Sequence, residues 1–391
     1  MTSGVRFLRT TDVGRDGSLA PEVSGVFLDR KEVPSEYILR DGDLLFSRSG
    51  TLGRSLLFRE QSTPSTHAGY LVRFRPDKDS YPPYLAYCAQ SNLMQDAVGA
   101  DAIESTIGNF NAEKYANVSL PWWPKATQQA IADYLDRETA QIDALIAAKR
   151  RMVELLEERF LVERENIVTG RPGSPVTDYS TSRKPSGVDW LDDLPASWRS
   201  YPLKHFFSFS KGKDAQRLTQ EYVATHPGPY PVYSGQTVGG GLFGMIDSFD
   251  FEMRSPAILI TTVGSDRTAT SRLVNGRFSL SQNCALIYVR TPSGPDVRFV
   301  AGQLVPLFAR KKASLPAHLQ TSLRIEDLRG FSIVLPRLAD VAALADRIEA
   351  LEVTLQETLS RLTHSITLLQ ERRQALITAA VTGKLDIPEA A

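Results

Sequence analysis

Cysteine is scarce in this sequence: Cys88 and Cys284 are the only two in 391 residues. They are far apart and share no spacing motif, which excludes a disulfide framework and a cysteine metal site and leaves two buried thiols of a reducing compartment as the expectation. The five histidines, His67, His205, His226, His318 and His364, show no ligand spacing, so no metal is expected. No apolar run approaches the ~18 residues of a membrane span. The first residues, MTSGVRFLRTTDVGRDG, contain no apolar stretch of the kind that marks a secretory signal, and a cytoplasmic protein is expected. A Walker A sequence and a Ser-His-Asp constellation are also missing. GGGLFG (239–244) fits G-x-G-x-x-G formally, but MIDSFDFE follows it where a phosphate-cradling loop needs a helix, so it reads as a glycine-rich hairpin. No cofactor and no catalytic residue is expected.

Net charge is absent too, at +0 with 45 basic and 45 acidic residues. That balance hides a local bias: residues 254–312 hold nine Arg or Lys against two Asp. A basic region inside a neutral chain is compatible with the electrostatic footprint of a nucleic-acid partner, with scattered solvated charge as the alternative reading.

What the sequence does contain is a repeat. Val168-Thr169-Gly170 and Val381-Thr382-Gly383 lie 213 residues apart, and the same offset pairs Leu155-Leu156 with Leu368-Leu369 and Glu158-Arg159 with Glu371-Arg372. Upstream, NFNAEKYANVSLP (109–121) aligns with RIEDLRGFSIVLP (324–336). Each copy reads as a compact domain, a strand ending in Leu-Pro, a long helix and Val-Thr-Gly. Apolar residues step by threes and fours along both helices. Ile131, Leu135, Ile142, Leu145, Met152 and Leu156 mark the first, and Leu344, Ile348, Leu351, Leu355, Leu359, Leu362, Ile366 and Leu369 the second. A helix of ~40 residues is about 60 Å long. That is too long to hide inside a small domain, so each stripe is expected to pack on the other helix. The glycines read as left-handed helix stops. Residues 171–193, dense in Pro, Gly and Ser, read as a linker.

The remaining segments alternate β-rich runs with turn residues. VRFLRT (5–10), DLLFSRSG (43–50), GYLVRFRP (69–76), YPVYSG (230–235), PAILITTVG (256–264) and NCALIYVR (283–290) read as strands. Helices are expected over 81–98 and 297–310, giving mixed α/β domains.

Taken in order, LPASWRSYPLKHFF, the segment YPVYSGQTVGGGLFGMIDSFDFEMRSPAILITTVGS, the duplicated Leu-Pro entries and LLQERRQALITAAVTGKLD resemble the specificity (S) subunit of type I restriction–modification systems. The resemblance implies an α/β (mixed α+β) fold. Two target-recognition domains are joined by two long antiparallel coiled-coil helices that hold them apart, with an internal pseudo-repeat. On that pattern the first recognition domain spans 1–121, the first long helix 122–171, the linker 172–194, the second domain 195–336 and the second helix 337–386. The second domain has about 35 residues between Leu194 and Tyr230 with no counterpart before Val5, so the first domain is expected to lack its opening segment. The implied function is non-catalytic reading of a split DNA target. The implied partners are double-stranded DNA, methyltransferase subunits and a restriction motor-nuclease subunit, with no membrane. YPPY (81–84) departs from the Asp/Asn-Pro-Pro-Tyr motif of adenine methyltransferases. Tyr81 supplies no amide or carboxylate acceptor, and the stretch reads as a turn opening the helix at 84–98. A coiled-coil adaptor joining two protein-binding domains is the alternative reading.

Polar and basic loops beside strands are the candidate DNA contacts. SRSGTLGR (47–54) offers Arg48 and Arg54, TTVGSDRTATSR (261–272) offers Arg267 and Arg272, and SKGKDAQR (210–217) offers Lys211, Lys213 and Arg217. Gln236, Gln282 and Asn283 complete the set. Arginine suits the guanine edge and Gln or Asn the adenine edge, while lysine holds phosphate.

Overall fold

The computed structural model describes residues 4–14, 16–21, 25–104, 109–171, 182–235, 241–264, 271–313 and 321–387. They form two compact units, residues 1–152 with 360–391, and residues 153–359.

In the first unit, β1 (Val5–Leu8), β2 (Val26–Leu28), β3 (Leu44–Ser47), β4 (Ser55–Leu57), β5 (Ser65–His67) and β6 (Leu71–Phe74) precede α1 (Pro82–Gln90), α2 (Asn92–Glu104), α3 (Ala112–Ala116) and the long α4 (Lys125–Thr169). The strands make two three-stranded sheets ordered β2-β1-β5 and β4-β3-β6. β3 is apolar from Leu44 to Phe46 because both of its faces are covered. Leu45 packs with Leu8, Leu56 and Leu71, while Leu44 and Phe46 pack with Ala86, Met94 and Phe110. Each such side chain contributes about 1.5–3 kcal/mol on burial. YPPY opens α1, with prolines in its first turn where no helical N–H is lost.

The second unit runs β7 (Arg183–Val188), β8 (Leu191–Pro195), β9 (Arg199–Pro202), β10 (Phe207–Ser210), α5 (Gln220–Thr225), β11 (Tyr230–Tyr233), β12 (Leu242–Ile246), β13 (Phe251–Thr261), β14 (Val263–Gly264), β15 (Ser271–Leu280), β16 (Cys284–Val289), α6 (Val297–Ala313), β17 (Thr321–Ser322), α7 (Ile325–Gly330), β18 (Ser332–Leu335) and the long α8 (Leu338–Val381). Its main sheet is ordered β10-β16-β13-β15-β11-β12. β13 repeats the logic of β3: Ile258 and Ile260 face one buried cluster, Ala257 and Leu259 the other.

Strand pairing shows the duplication directly. β1 pairs antiparallel with β2 and parallel with β5, as β11 does with β12 and β15. β3 lies antiparallel between β4 and β6, as β13 does between β15 and β16. β10 on β16 and β9 on β18 have no counterpart among the described residues of the first unit. The outer edge that results belongs to β6, not to β1, which has a partner on each side.

The linker reading of 171–193 is corrected over its second half. Arg183–Val188 pairs with Leu191–Pro195 in a hairpin, with a register shift between Pro185 and Val188. Pro185 and Gly187 looked like linker chemistry because they occupy that irregularity. Residues 172–181 lie outside the described set.

α4 has 45 residues and α8 has 44. In the first unit, Ile131, Ala132 and Leu135 pack with Ile377, Ala380 and Val381, and the Arg373 guanidinium meets the Asp143 carboxylate at 3.0 Å. In the second, Ile167 and Val168 share a cluster with Val341, Leu344, Ala345 and Ile348. Rising numbers on one helix meet falling numbers on the other, so the helices are antiparallel within each unit.

The Val-Thr-Gly ends do more than stop helices. Gly170 and Gly383 take the left-handed conformation, at φ 64° and 71°. A Cβ at Gly170 would lie 2.6 Å from Pro195 and 3.2 Å from the Trp198 ring; at Gly383 it would lie 2.7 Å from the Trp123 ring. Each glycine therefore admits a tryptophan against its helix end. The valine carbonyls are capped by unrelated side chains: Gln303 donates to the Val168 carbonyl at 2.8 Å, and Trp123 donates to the Val381 carbonyl at 3.1 Å.

Asp43 is buried and accepts from Arg75 twice, both at 2.7 Å, and from the Arg40 N–H at 2.9 Å. Burial acts to raise its pKa, but the Arg75 hydrogen bonds, the Arg40 N–H and the arginine charge outweigh it and hold the carboxyl below its usual range. A depressed carboxylate adds stability that is full above its unfolded pKa of about 3.9 and is lost as pH falls through the lower folded value. Asp43→Ala is expected to destabilise the first unit by about 2–4 kcal/mol at pH 7 and by less near pH 2, read from denaturant melts at both pH values.

Candidate nucleic-acid interface

β10 runs antiparallel to β16, with Ser210 opposite Leu286. The loop leaving β10 and the turn entering β16 are therefore neighbours. They wall a cavity of about 540 Å³ in the second unit, lined by Lys211, Lys213, Arg217, Gln282 and Asn283. Five candidates separated by some seventy residues of sequence are brought to one place, and all five side chains are exposed. Three cations beside two amides have the chemistry to hold phosphate and to offer donors and acceptors to base edges.

Two backbone devices fix this geometry. Asn283 is the one non-glycine residue at positive φ (66°) among those described, a conformation asparagine tolerates better than most residues. Its carbonyl accepts from the Thr262 N–H at 2.7 Å, which leaves the side-chain amide in solvent. Behind the lysine loop, Asp250 accepts from the Lys213 N–H at 3.2 Å. Burial, helped by the Asp214 charge, lifts the Asp250 carboxyl above its ordinary range against the lowering by the loop N–H groups and the Lys213 charge. Arg217 also lies over the Tyr222 ring, 5.4 Å from its centroid.

Arg272 is placed differently. It is turned inward, donating to the Ser234 carbonyl at 2.9 Å and lying 5.1 Å over the Tyr233 ring. Burial pushes its guanidinium pKa down. It braces β15 against the end of β11, a role its loop sequence did not suggest. Gln236 and Arg267 lie outside the described residues.

In the first unit, Arg54 lines a polar cavity of about 510 Å³ with Gly50, Gln90, Gln95 and Arg373, and donates to the Val13 carbonyl at 2.9 Å. Gln90, Gln95 and Arg373 were not among the candidates: they lie on helices, where polar residues read as solvated faces. Arg48 is half-buried outside that cavity, and its guanidinium makes no hydrogen bond or ion pair among the described residues.

Burial raises the Cys88 thiol to about 12 and Cys284 to about 11, which keeps both protonated and weakly nucleophilic at neutral pH. Among the described residues no three His, Cys, Asp or Glu side chains converge on a metal-sized site, and no helix is long and apolar enough to cross a membrane.

Residues 19–155 match the family model described as the type I restriction modification DNA specificity domain. A type I specificity subunit of Mycoplasma pneumoniae is 31% identical over 120 residues, 30% of this chain and 31% of that one. The chain thus matches under a third of that relative's length, and a second Mycoplasma pneumoniae specificity subunit matches over 32% of its own. The specificity subunit of the Escherichia coli type I restriction enzyme EcoBI is 21% identical over 410 residues, 98% of this chain and 80% of that one. Among solved structures, a chain from work on complex assembly and conformational transition of the type I R-M system superposes with a TM-score of 0.67 at 14% identity, covering 98% of this chain and 93% of that one. At that identity the superposition shows the fold alone, mixed α/β units with paired long helices. By family model, relatives and fold together, the chain is similar to the type I restriction–modification specificity (S) subunits.

Proposed function

We propose that this chain is the sequence-reading, non-catalytic subunit of a type I restriction–modification complex in the cytoplasm. Each recognition domain reads one half of a split DNA target, and methyltransferase and motor-nuclease subunits assemble beside it. The observation that carries this reading is the cavity where Lys211, Lys213 and Arg217 meet Gln282 and Asn283. Cations grip phosphate without regard to sequence, and the two amides supply the paired donor and acceptor that an adenine edge requires. The relatives' descriptions as specificity subunits point the same way.

The test is a gel shift of the chain assembled with its methyltransferase subunits, with and without unrelated competitor DNA. Binding of one duplex that survives excess competitor is the expected result; binding abolished in proportion to competitor removes the reading. The isolated chain is expected to turn over no S-adenosylmethionine and to cut no DNA, and turnover without partner subunits would assign chemistry to this chain.

A further inference from the structure

The two units share a hydrogen-bond frame, and it singles out a residue that the sequence reading did not. In the second unit the frame surrounds Asn283. Thr261 pairs with Cys284, the Thr262 N–H donates to the Asn283 carbonyl at 2.7 Å, the Leu323 N–H donates to the Thr262 carbonyl at 2.8 Å, and the Ser281 N–H donates to the Tyr233 carbonyl at 2.9 Å. In the first unit Ser47 pairs with Leu71, the Arg48 N–H donates to the Tyr70 carbonyl at 2.9 Å, the Phe110 N–H donates to the Arg48 carbonyl at 2.9 Å, and the Ala68 N–H donates to the Leu8 carbonyl at 2.8 Å. Four interactions correspond one to one. Tyr70 occupies the position of Asn283, and Arg48 that of Thr262.

Tyr70 is 65% exposed, a large ring left in solvent beside a half-buried arginine. Burying that ring would repay its exposure, and its hydroxyl both donates and accepts. Arg48 has both backbone groups tied by this frame, so its side chain leaves from a fixed point, and its guanidinium has no hydrogen-bond or ion-pair partner among the described residues. We propose that Tyr70 is a specificity-determining residue of the first unit, contacting one half-site of double-stranded DNA with Arg48 as Asn283 contacts the other. This rests on the reading of the Asn283 cavity as a DNA contact and extends it to the first unit. The first unit lacks a counterpart of the Lys211–Arg217 loop among its described residues, so an aromatic ring and an arginine carry there what cations and amides carry in the second.

The experiment uses the full chain assembled with its methyltransferase subunits and three duplexes: the methylated target, and the target with either half-site scrambled. Tyr70→Ala is expected to weaken binding to the intact target by about 5- to 150-fold and to lose that effect once one half-site is scrambled. Asn283→Ala is expected to lose its effect only when the other half-site is scrambled. Tyr70→Glu places a negative charge at the same exposed point and is expected to weaken binding to all three duplexes. Wild-type binding by both Tyr70 variants, with Asn283→Ala impaired, overturns this inference and leaves the reading of the second unit intact. Wild-type binding by all three variants overturns both.

Discussion

Replacing Lys211, Lys213 and Arg217 together with alanine is expected to weaken DNA binding by the assembled complex about 100-fold at physiological salt, nearly equally for target and unrelated duplexes. All three side chains are exposed around one cavity, so the change leaves the core untouched. Each phosphate contact releases counterions and adds about 0.9 to the slope of log K against log salt. Three lost contacts should flatten the slope by about 2.7, and at close to 1 kcal/mol per contact the affinity falls by roughly two decades. Substituting Gln282 and Asn283 should do the reverse, costing about 1–3 kcal/mol on the target while leaving the salt slope unchanged. Titrations at four salt concentrations separate the two classes. A triple variant with the wild-type slope would remove the loop from the interface.

The largest stability effect is expected at Gln303. It is fully buried in α6 and its amide serves three backbone groups: its Nε2 donates to the carbonyls of Val168 and Val334, and its Oε1 accepts from the Val334 N–H at 2.9 Å. One side chain thereby joins the end of α4, strand β18 and α6. Gln303→Leu keeps most of the volume but orphans these groups, each costing about 1–3 kcal/mol when buried without a partner. Some will find water or shift, so a net loss of about 3–5 kcal/mol and a melting temperature lower by roughly 10 °C are expected. Because the exposed loops are not altered, variant that remains folded should retain its DNA preference. A change below 1 kcal/mol would mean that the Val168 and Val334 groups are readily satisfied in another way.

How far the sequence was readable follows from the same residues. The strands β1, β3, β6, β11, β13 and β16, the long helices and the duplicated Val-Thr-Gly ends were legible because burial on one or both faces writes itself into apolar periodicity, whereas the ten-residue β15 was not named. The hairpin over Arg183–Pro195 was not, because an irregular ladder holding Pro185 and Gly187 has the composition of a linker. The caps on Val168 and Val381 were not, since a glutamine in one half and a tryptophan in the other do the same work with no shared identity. Lys211, Lys213, Arg217, Gln282 and Asn283 were legible as exposed positions because turn sequences beside strands name them; that they line one cavity was not. Arg272 was named on the same ground, yet its guanidinium lies against Tyr233, because residue type does not say which way a long side chain turns. Tyr70 was passed over as the opening of a strand. Setting Ala68-Gly69-Tyr70 against Ser281-Gln282-Asn283, at the same 213-residue offset as Val-Thr-Gly, is the signal that would have found it.

The most direct measurement is methylome sequencing of cells that carry the locus, beside cells in which this chain alone bears Lys211→Ala, Lys213→Ala and Asn283→Ala. The account predicts one split methylated target with wild-type chain. With the variant it predicts methylation that is lost, or degenerate in one half-site while the other keeps its sequence. An unchanged target in the variant, or the same methylation in cells without this chain, would contradict it.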